Sequence, residues 1–238
     1  MALLRELFGE EPRRWTGASL ETVQAMEQFA LLSAELAERS PQQAAAYRTL
    51  AIWTEGLLRS MDELEQSCYA AGEYAKRIRH TLVDEMDFKE RADYHRHVYY
   101  DKNAYIRVFA LLDKLGTLLN RLLGLQTERI KERFSYFTML RNLRDNQWHA
   151  ELTNPLDELK QRSQGAMSRL RIRRNLEIHQ MNAELRDDLN QSIGNKYVRR
   201  TLEDLDANLA DLNDSLEMVQ GSLYHAFRFG CKWLRNTN

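Results

Sequence analysis

Glycine and proline are scarce in this chain, and their scarcity limits the folds that it can adopt. The 238 residues include only ten glycines and three prolines, the residues on which tight turns depend. Leucine, alanine, glutamate, arginine and glutamine, which are strong helix formers, are abundant. A chain of this length can still bury a large core. The sequence therefore predicts an all-α protein.

Apolar residues spaced by three and four predict about six helices in one elongated antiparallel bundle. The strongest apolar pattern covers residues 105–122 and predicts the central helix. Asn154-Pro155 is typical of a helix start, which predicts one long helix from there to about Leu189. A last helix, with leucines at three- and four-residue spacing, is predicted from about Val198 onwards.

Charge and cysteine content restrict the class of protein further. The net charge is −1, so any nucleic-acid site must be local. The two cysteines lie in core-like patterns that suit a reducing cytoplasm, and no apolar run is long enough to cross a membrane. No Cys-x-x-Cys, phosphate-binding glycine loop or Glu-x-x-His pair occurs. We expect a cytoplasmic protein without a metal, a cofactor or a membrane partner.

The run Arg174-Asn175-x-x-x-His179 combines side chains that can cleave a phosphodiester. A guanidinium can stabilise the charge of a phosphorane, and an imidazole can take the proton of a ribose 2′-hydroxyl. The amide of Asn175 can orient either group. On a helix, Asn175 and His179 share a face, whereas Arg174 is about 140° from His179. A facing second copy of the chain would complete such a site.

The stretch before this run is the most basic part of the chain. No acidic residue occurs from Lys160 to Arg174, and Arg169, Arg171 and Arg173 are predicted to bind a nucleic-acid backbone. The alternative interpretation is a solvated helix face whose charge is balanced by the acidic last helix.

A second run has the same spacing. Arg144-Asp145 is followed by His149 at a predicted helix end, where sites do occur, and Trp148 is expected to be an anchor packed onto the bundle. Arg-x4-His arises readily by chance in an arginine-rich helical chain, so spacing alone does not separate the two runs. We rank Arg144, Asp145 and His149 second because no basic stretch leads into this run.

The segment from Ser168 to His179 resembles the signature of the HEPN superfamily, whose all-helical domains carry an Arg-x4–6-His motif. The likeness covers roughly residues 86–236. We expect a HEPN-like helical bundle over residues 86–238, with residues 1–85 as a helical extension packed on it. Many HEPN domains are metal-independent endoribonucleases that work as dimers, in toxin–antitoxin, phage-defence and RNA-processing systems.

The resemblance implies a catalytic pair, Arg174 and His179, with Asn175 as the supporting polar residue. The leading hypothesis is a metal-independent endoribonuclease that acts by 2′-hydroxyl attack at a dimeric site. RNA, a second copy of the chain and a protein antitoxin or regulator are the partners that it implies. Some HEPN proteins do not cut RNA. The alternative is therefore a non-catalytic helical module for protein interaction, dimerisation or nucleotide binding.

Overall fold

The computed structural model describes residues 3–11, 13–130, 134–179 and 202–236. The regular structure in these ranges is helical, as the composition predicts, with eight α-helices and two short 3₁₀ helices. No helix in these ranges is long and apolar enough to cross a membrane. The α-helices are α1 (Leu3–Leu7), α2 (Gly17–Arg39), α3 (Ala44–Ala75), α4 (Phe88–Leu122), α5 (Tyr136–Asp145), α6 (Ala150–Arg162), α7 (Gln164–His179) and α8 (Leu205–Asn236), and the 3₁₀ helices are Val83–Glu85 and Thr127–Arg129.

Two compact units are interleaved along the sequence. The first unit comprises residues 1–63, 108–163 and 216–238, and the second comprises residues 64–107 and 164–215. The boundaries between them fall within α3, α4 and α8 and between α6 and α7. The division of the chain into an extension over residues 1–85 and a HEPN-like bundle over residues 86–238 stays a prediction.

The core of the first unit is organised around Tyr136, at the start of α5. Its side chain is fully buried, and its hydroxyl donates to Ser222 Oγ of α8 at 3.1 Å. Such a bond is what a buried phenol requires. A Cβ at Gly116 of α4 would lie 2.9 Å from the Tyr136 Cα. Glycine at this position therefore lets α4 and α5 approach closely. Further along α8, the ring of Phe227 meets that of Phe29 of α2 edge-on, with the ring centroids 5.1 Å apart.

The second unit contains a line of buried polar residues on one face of α4. Glu90, Asp93, His97 and Asp101 recur at three- and four-residue spacing, and each is at most 7% exposed. Buried polar groups need partners, and partners are present here. For example, His97 Nδ1 lies 2.9 Å from the carbonyl oxygen of Ala71 in α3, and Asp101 forms an ion pair with Arg173 of α7.

Two predicted helix boundaries are wrong. Asn154-Pro155 does not start a helix, because α6 begins at Ala150 and contains Pro155. Leu152 and Leu156 are fully buried on either side of that boundary, and their packing outweighs the hydrogen bond that the proline removes. The predicted long helix is also interrupted at Ser163, between α6 and α7. The predicted end near Leu189 and the predicted start near Val198 lie outside the described residues.

Candidate functional site

The first-ranked run lies at the end of α7, in the second unit. Asn175 and His179 are exposed and Arg174 is half-buried. Arg174 donates from Nε and Nη2 to Asn175 Oδ1, at 3.2 and 2.8 Å. Because α7 is continuous from Gln164 to His179, Arg174 and His179 point about 140° apart, as the spacing predicts. Residues 180–201, which come after His179, lie outside the described residues.

Ion pairs hold two of the three predicted nucleic-acid-binding arginines. Arg169 donates to both carboxylate oxygens of Asp211 in α8, at 2.8 and 2.6 Å, and Arg173 pairs with Asp101. Both aspartates are at most 5% exposed, while Arg171 is exposed. The alternative interpretation of the basic stretch is a solvated helix face whose charge is balanced by the acidic last helix. The pairing of Arg169 with Asp211 of α8 agrees with that interpretation.

The Arg173–Asp101 pair is embedded in the second unit. Burial raises the pKa of Asp101, while the charges of Arg173 and His97 oppose that rise. The Arg173 guanidinium lies over the ring of Tyr105, 5.0 Å from its centroid, and burial raises the pKa of this phenol too. The contacts of Arg173 are therefore those of a packed side chain.

The second-ranked run extends from the last turn of α5 through the connection to α6, in the first unit. The amides of Gln147 and Trp148 bond to the carbonyl oxygens of Arg144 and Leu143, both at 3.0 Å, which is the Schellman pattern of a helix end. Gln147 and His149 have φ values of +54° and +50°. A left-handed backbone costs a non-glycine residue on the order of 1 kcal/mol. Such strain clusters at functional sites.

Arg144 lies in the last turn of α5 and its side chain is 45% exposed. Its Nε and Nη2 donate to Asp145 Oδ1 at 3.3 and 3.1 Å, the same fork that Arg174 makes with Asn175. Its Nη1 lies 3.7 Å from Asp157 Oδ1 of α6. Asp157 is about 12 Å further along α6 than His149. Within one protomer, the Arg144 guanidinium is therefore directed away from His149.

His149 precedes the first residue of α6 and its ring is held by aromatic side chains of α8. The imidazole centroid lies 5.6 Å from that of Phe229 and 5.0 Å from that of Trp233, both edge-on. Burial lowers the pKa of His149 below its ordinary value of 6.5, so the neutral imidazole predominates at neutral pH. Trp148, predicted to be a packed anchor, is 43% exposed. That expectation is wrong.

Sequence reasoning did not find Phe229 and Trp233, although both contact His149. They lie far along the chain, on a helix that was predicted only to pack against others. Their one sequence signal is the four-residue spacing of two aromatic residues on the same helix face.

A comparison with models of protein families identifies the family of the chain. The family model described as HEPN_Cthe2314-like HEPN matches residues 53–230, and this range includes both Arg-x4-His runs. The chain matches no curated protein and no solved structure. Because the family model covers more than half of the 238 residues, the chain belongs to the HEPN_Cthe2314-like HEPN family, and thus to the HEPN superfamily.

Proposed function

We propose that this protein is a metal-independent endoribonuclease and that Arg144 and His149 form its active site. The observation that carries the proposal is the setting of His149. Its ring is oriented by Phe229 and Trp233, and burial keeps the imidazole neutral. A general base needs both a fixed orientation and a free ring nitrogen.

The chemistry assigns one role to each group. The neutral imidazole of His149 takes the proton of a ribose 2′-hydroxyl, and the 2′-oxygen attacks the adjacent phosphorus. The bond from phosphorus to the 5′-oxygen breaks, and the leaving oxygen takes up a proton. The products are a 2′,3′-cyclic phosphate and a 5′-hydroxyl. Arg144 stabilises the negative charge that builds up on the phosphorane. Asp145 orients the guanidinium through the edge formed by Nε and Nη2.

The run Arg174, Asn175 and His179 stays a prediction for the catalytic site, and Arg169, Arg171 and Arg173 stay predictions for RNA contacts. The setting of the histidine favours Arg144 and His149, because Phe229 and Trp233 contact the His149 ring. His179, by contrast, is exposed at the end of α7. An antitoxin or regulator, a toxin or defence role and a cytoplasmic location also stay predictions.

We propose further that the active form is a homodimer. Arg144 of one protomer is directed along α6 towards Asp157, so it does not face its own His149. A two-fold axis that brings the two α5–α6 turns together would place the arginine of each protomer beside the histidine of the other. Both groups would then act on one phosphate.

Cleavage of a labelled single-stranded RNA in EDTA tests the activity and ranks the two runs. We expect His149→Ala and Arg144→Ala each to lower the rate about 10²- to 10⁴-fold, with helicity unchanged. Arg174→Ala and His179→Ala are the matched variants of the other run, and we expect them to retain the rate. The opposite ranking would transfer the active site to α7. The absence of cleavage by the wild-type chain would leave the non-catalytic module.

Mixing two inactive variants tests the dimeric site. If arginine and histidine act across the two-fold axis, mixed dimers of Arg144→Ala and His149→Ala contain one intact site. At equal amounts, after exchange of subunits, we expect about a quarter of the wild-type rate to return. No recovery from a mixture that demonstrably exchanges subunits would contradict the shared site.

A further inference from the structure

A cavity in the first unit lies beside the α5–α6 turn. It has a volume of about 530 Å³ and is lined mainly by α8, with Gln28 of α2 and Glu151 of α6 completing its wall. Three basic residues of α8 line it, namely Arg228, Lys232 and Arg235. They recur at four- and three-residue spacing, so they share one face of the helix.

This cavity carries an excess of positive charge. All three basic residues are exposed. Lys232 donates to both oxygens of Glu151, at 2.6 and 2.9 Å, whereas Arg228 donates to the hydroxyl of Tyr224 at 2.6 Å. Within the described ranges, no carboxylate pairs with Arg228 or Arg235. Three cations therefore share one carboxylate, and two guanidinium groups are available to an anion.

The cavity adjoins the proposed general base through one aromatic ring. Phe229 lines the cavity and lies 5.6 Å from the His149 ring. Glu151, which also lines the cavity, follows His149 by two residues in the first turn of α6. The cavity and the imidazole of His149 therefore share Phe229 as a neighbour.

We infer that this cavity binds the backbone phosphates that flank the scissile phosphate of a single-stranded RNA. The inference rests on the proposed function. Arg228 and Arg235 contact the phosphates, since a guanidinium matches a phosphate with two parallel hydrogen bonds. Glu151 limits the affinity, because it neutralises Lys232 and repels the backbone. The nucleic-acid surface is thus on α8, while two of the three arginines predicted to bind RNA from the basic stretch of α7 are held in ion pairs.

Binding of a non-cleavable RNA tests the inference separately from catalysis. The probe is a fluorescently labelled single-stranded oligonucleotide with 2′-O-methyl riboses, and its anisotropy is measured with the full chain over a series of salt concentrations. We expect Arg228→Gln with Arg235→Gln to weaken binding about tenfold for each arginine removed. The slope of log affinity against log salt concentration should fall by about 1.4, or roughly 0.7 for each phosphate that no longer meets a guanidinium.

Two further variants make the test specific. Arg48→Gln with Arg59→Gln removes the same charge from exposed positions of α3 in the same unit, and we expect this control to bind like the wild type. Glu151→Gln releases Lys232 and should tighten binding several-fold. Equal losses of affinity in the two double variants, or unchanged binding in the α8 variant, would overturn the inference. Weakened binding by Glu151→Gln would also overturn it.

The outcome also separates this inference from the proposed function. Cleavage that depends on His149, together with normal binding by the α8 variant, would leave the ribonuclease standing and remove the phosphate site. Binding that depends on Arg228 and Arg235, without cleavage that depends on His149, would leave an RNA-binding site and remove the ribonuclease.

Discussion

Replacing Arg173 with alanine distinguishes a packed arginine from one that binds RNA. The side chain of Arg173 is 19% exposed and that of its partner Asp101 is 5% exposed. Arg173→Ala leaves the carboxylate buried without a counter-charge, and breaking a buried pair in this way costs about 3–5 kcal/mol. We therefore expect the free energy of unfolding, measured in urea by circular dichroism, to fall by about that amount at neutral pH. RNA binding by the folded variant should be unchanged.

The pH dependence of this destabilisation identifies its cause. Burial already raises the pKa of Asp101 above its ordinary value of 3.8, and Arg173 opposes the rise. Removing Arg173 raises that pKa further. A group whose pKa is higher in the folded state destabilises the protein as pH rises through that pKa. The destabilisation by Arg173→Ala should therefore shrink on acidification, because the neutral carboxylic acid is less costly to bury than the carboxylate.

The exposed Arg171 of the same helix is the control. Arg171→Ala should change the free energy of unfolding by no more than about 0.5 kcal/mol. If Arg173→Ala has wild-type stability and reduced RNA affinity, Arg173 contacts RNA and the assignment to the core is refuted.

Three further predictions concern the first unit and helix α3. The cleavage rate should fall on acidification with a midpoint below pH 6.5, because burial lowers the pKa of His149. A midpoint above pH 6.5 in the measured pH–rate profile would contradict a partly buried His149 as the general base. Gly116→Ala should lower the free energy of unfolding by about 1–3 kcal/mol, since the new Cβ would lie 2.9 Å from the Tyr136 Cα. Gly72→Ala, whose Cβ would meet nothing within 4 Å, should raise that free energy by about 1 kcal/mol. Equal melting temperatures for the two variants would refute the close approach of α4 and α5 at Gly116. Gln147→Gly should stabilise the chain by about 0.5–1 kcal/mol, because glycine adopts the φ of +54° without strain; a lower urea midpoint would contradict a strained turn.

Helix content could be predicted from composition and periodicity, whereas the helix ends could not. Scarce glycine and proline leave few places for turns, and an all-α fold is the direct consequence. Pro155 nevertheless lies within α6, because burial of Leu152 and Leu156 offsets the local preference for a helix start. The turn before α6 is made by Gln147 and His149 in a left-handed conformation. Glutamine does not signal such a turn, and histidine, although enriched at positive φ, occurs mostly in other conformations, so no local rule finds the turn.

The ranking of the two runs depended on information that no local pattern contains. Spacing treats Arg144–His149 and Arg174–His179 alike, and the basic stretch before α7 favoured the second. Two arginines of that stretch, Arg169 and Arg173, pair with Asp211 and Asp101, which are distant in sequence. The contacts that orient His149 come from α8, about 80 residues further along the chain. The ion pairs of Arg169 and Arg173 therefore weaken the argument from the basic stretch. The ring contacts of His149 strengthen the argument for Arg144–His149.

The two runs share the geometry of the arginine and differ in the backbone between the arginine and the histidine. In both, the guanidinium edge formed by Nε and Nη2 bonds to the side-chain oxygen of the next residue. That fork is therefore a result of sequence adjacency and does not identify a catalytic arginine. An uninterrupted helix fixes the histidine about 140° from the arginine. A turn removes that constraint, so the direction of the His149 ring is set by its contacts with Phe229 and Trp233 of α8. The break in the helix, rather than the Arg-x4-His spacing itself, is thus the feature that distinguishes this run from the run on α7.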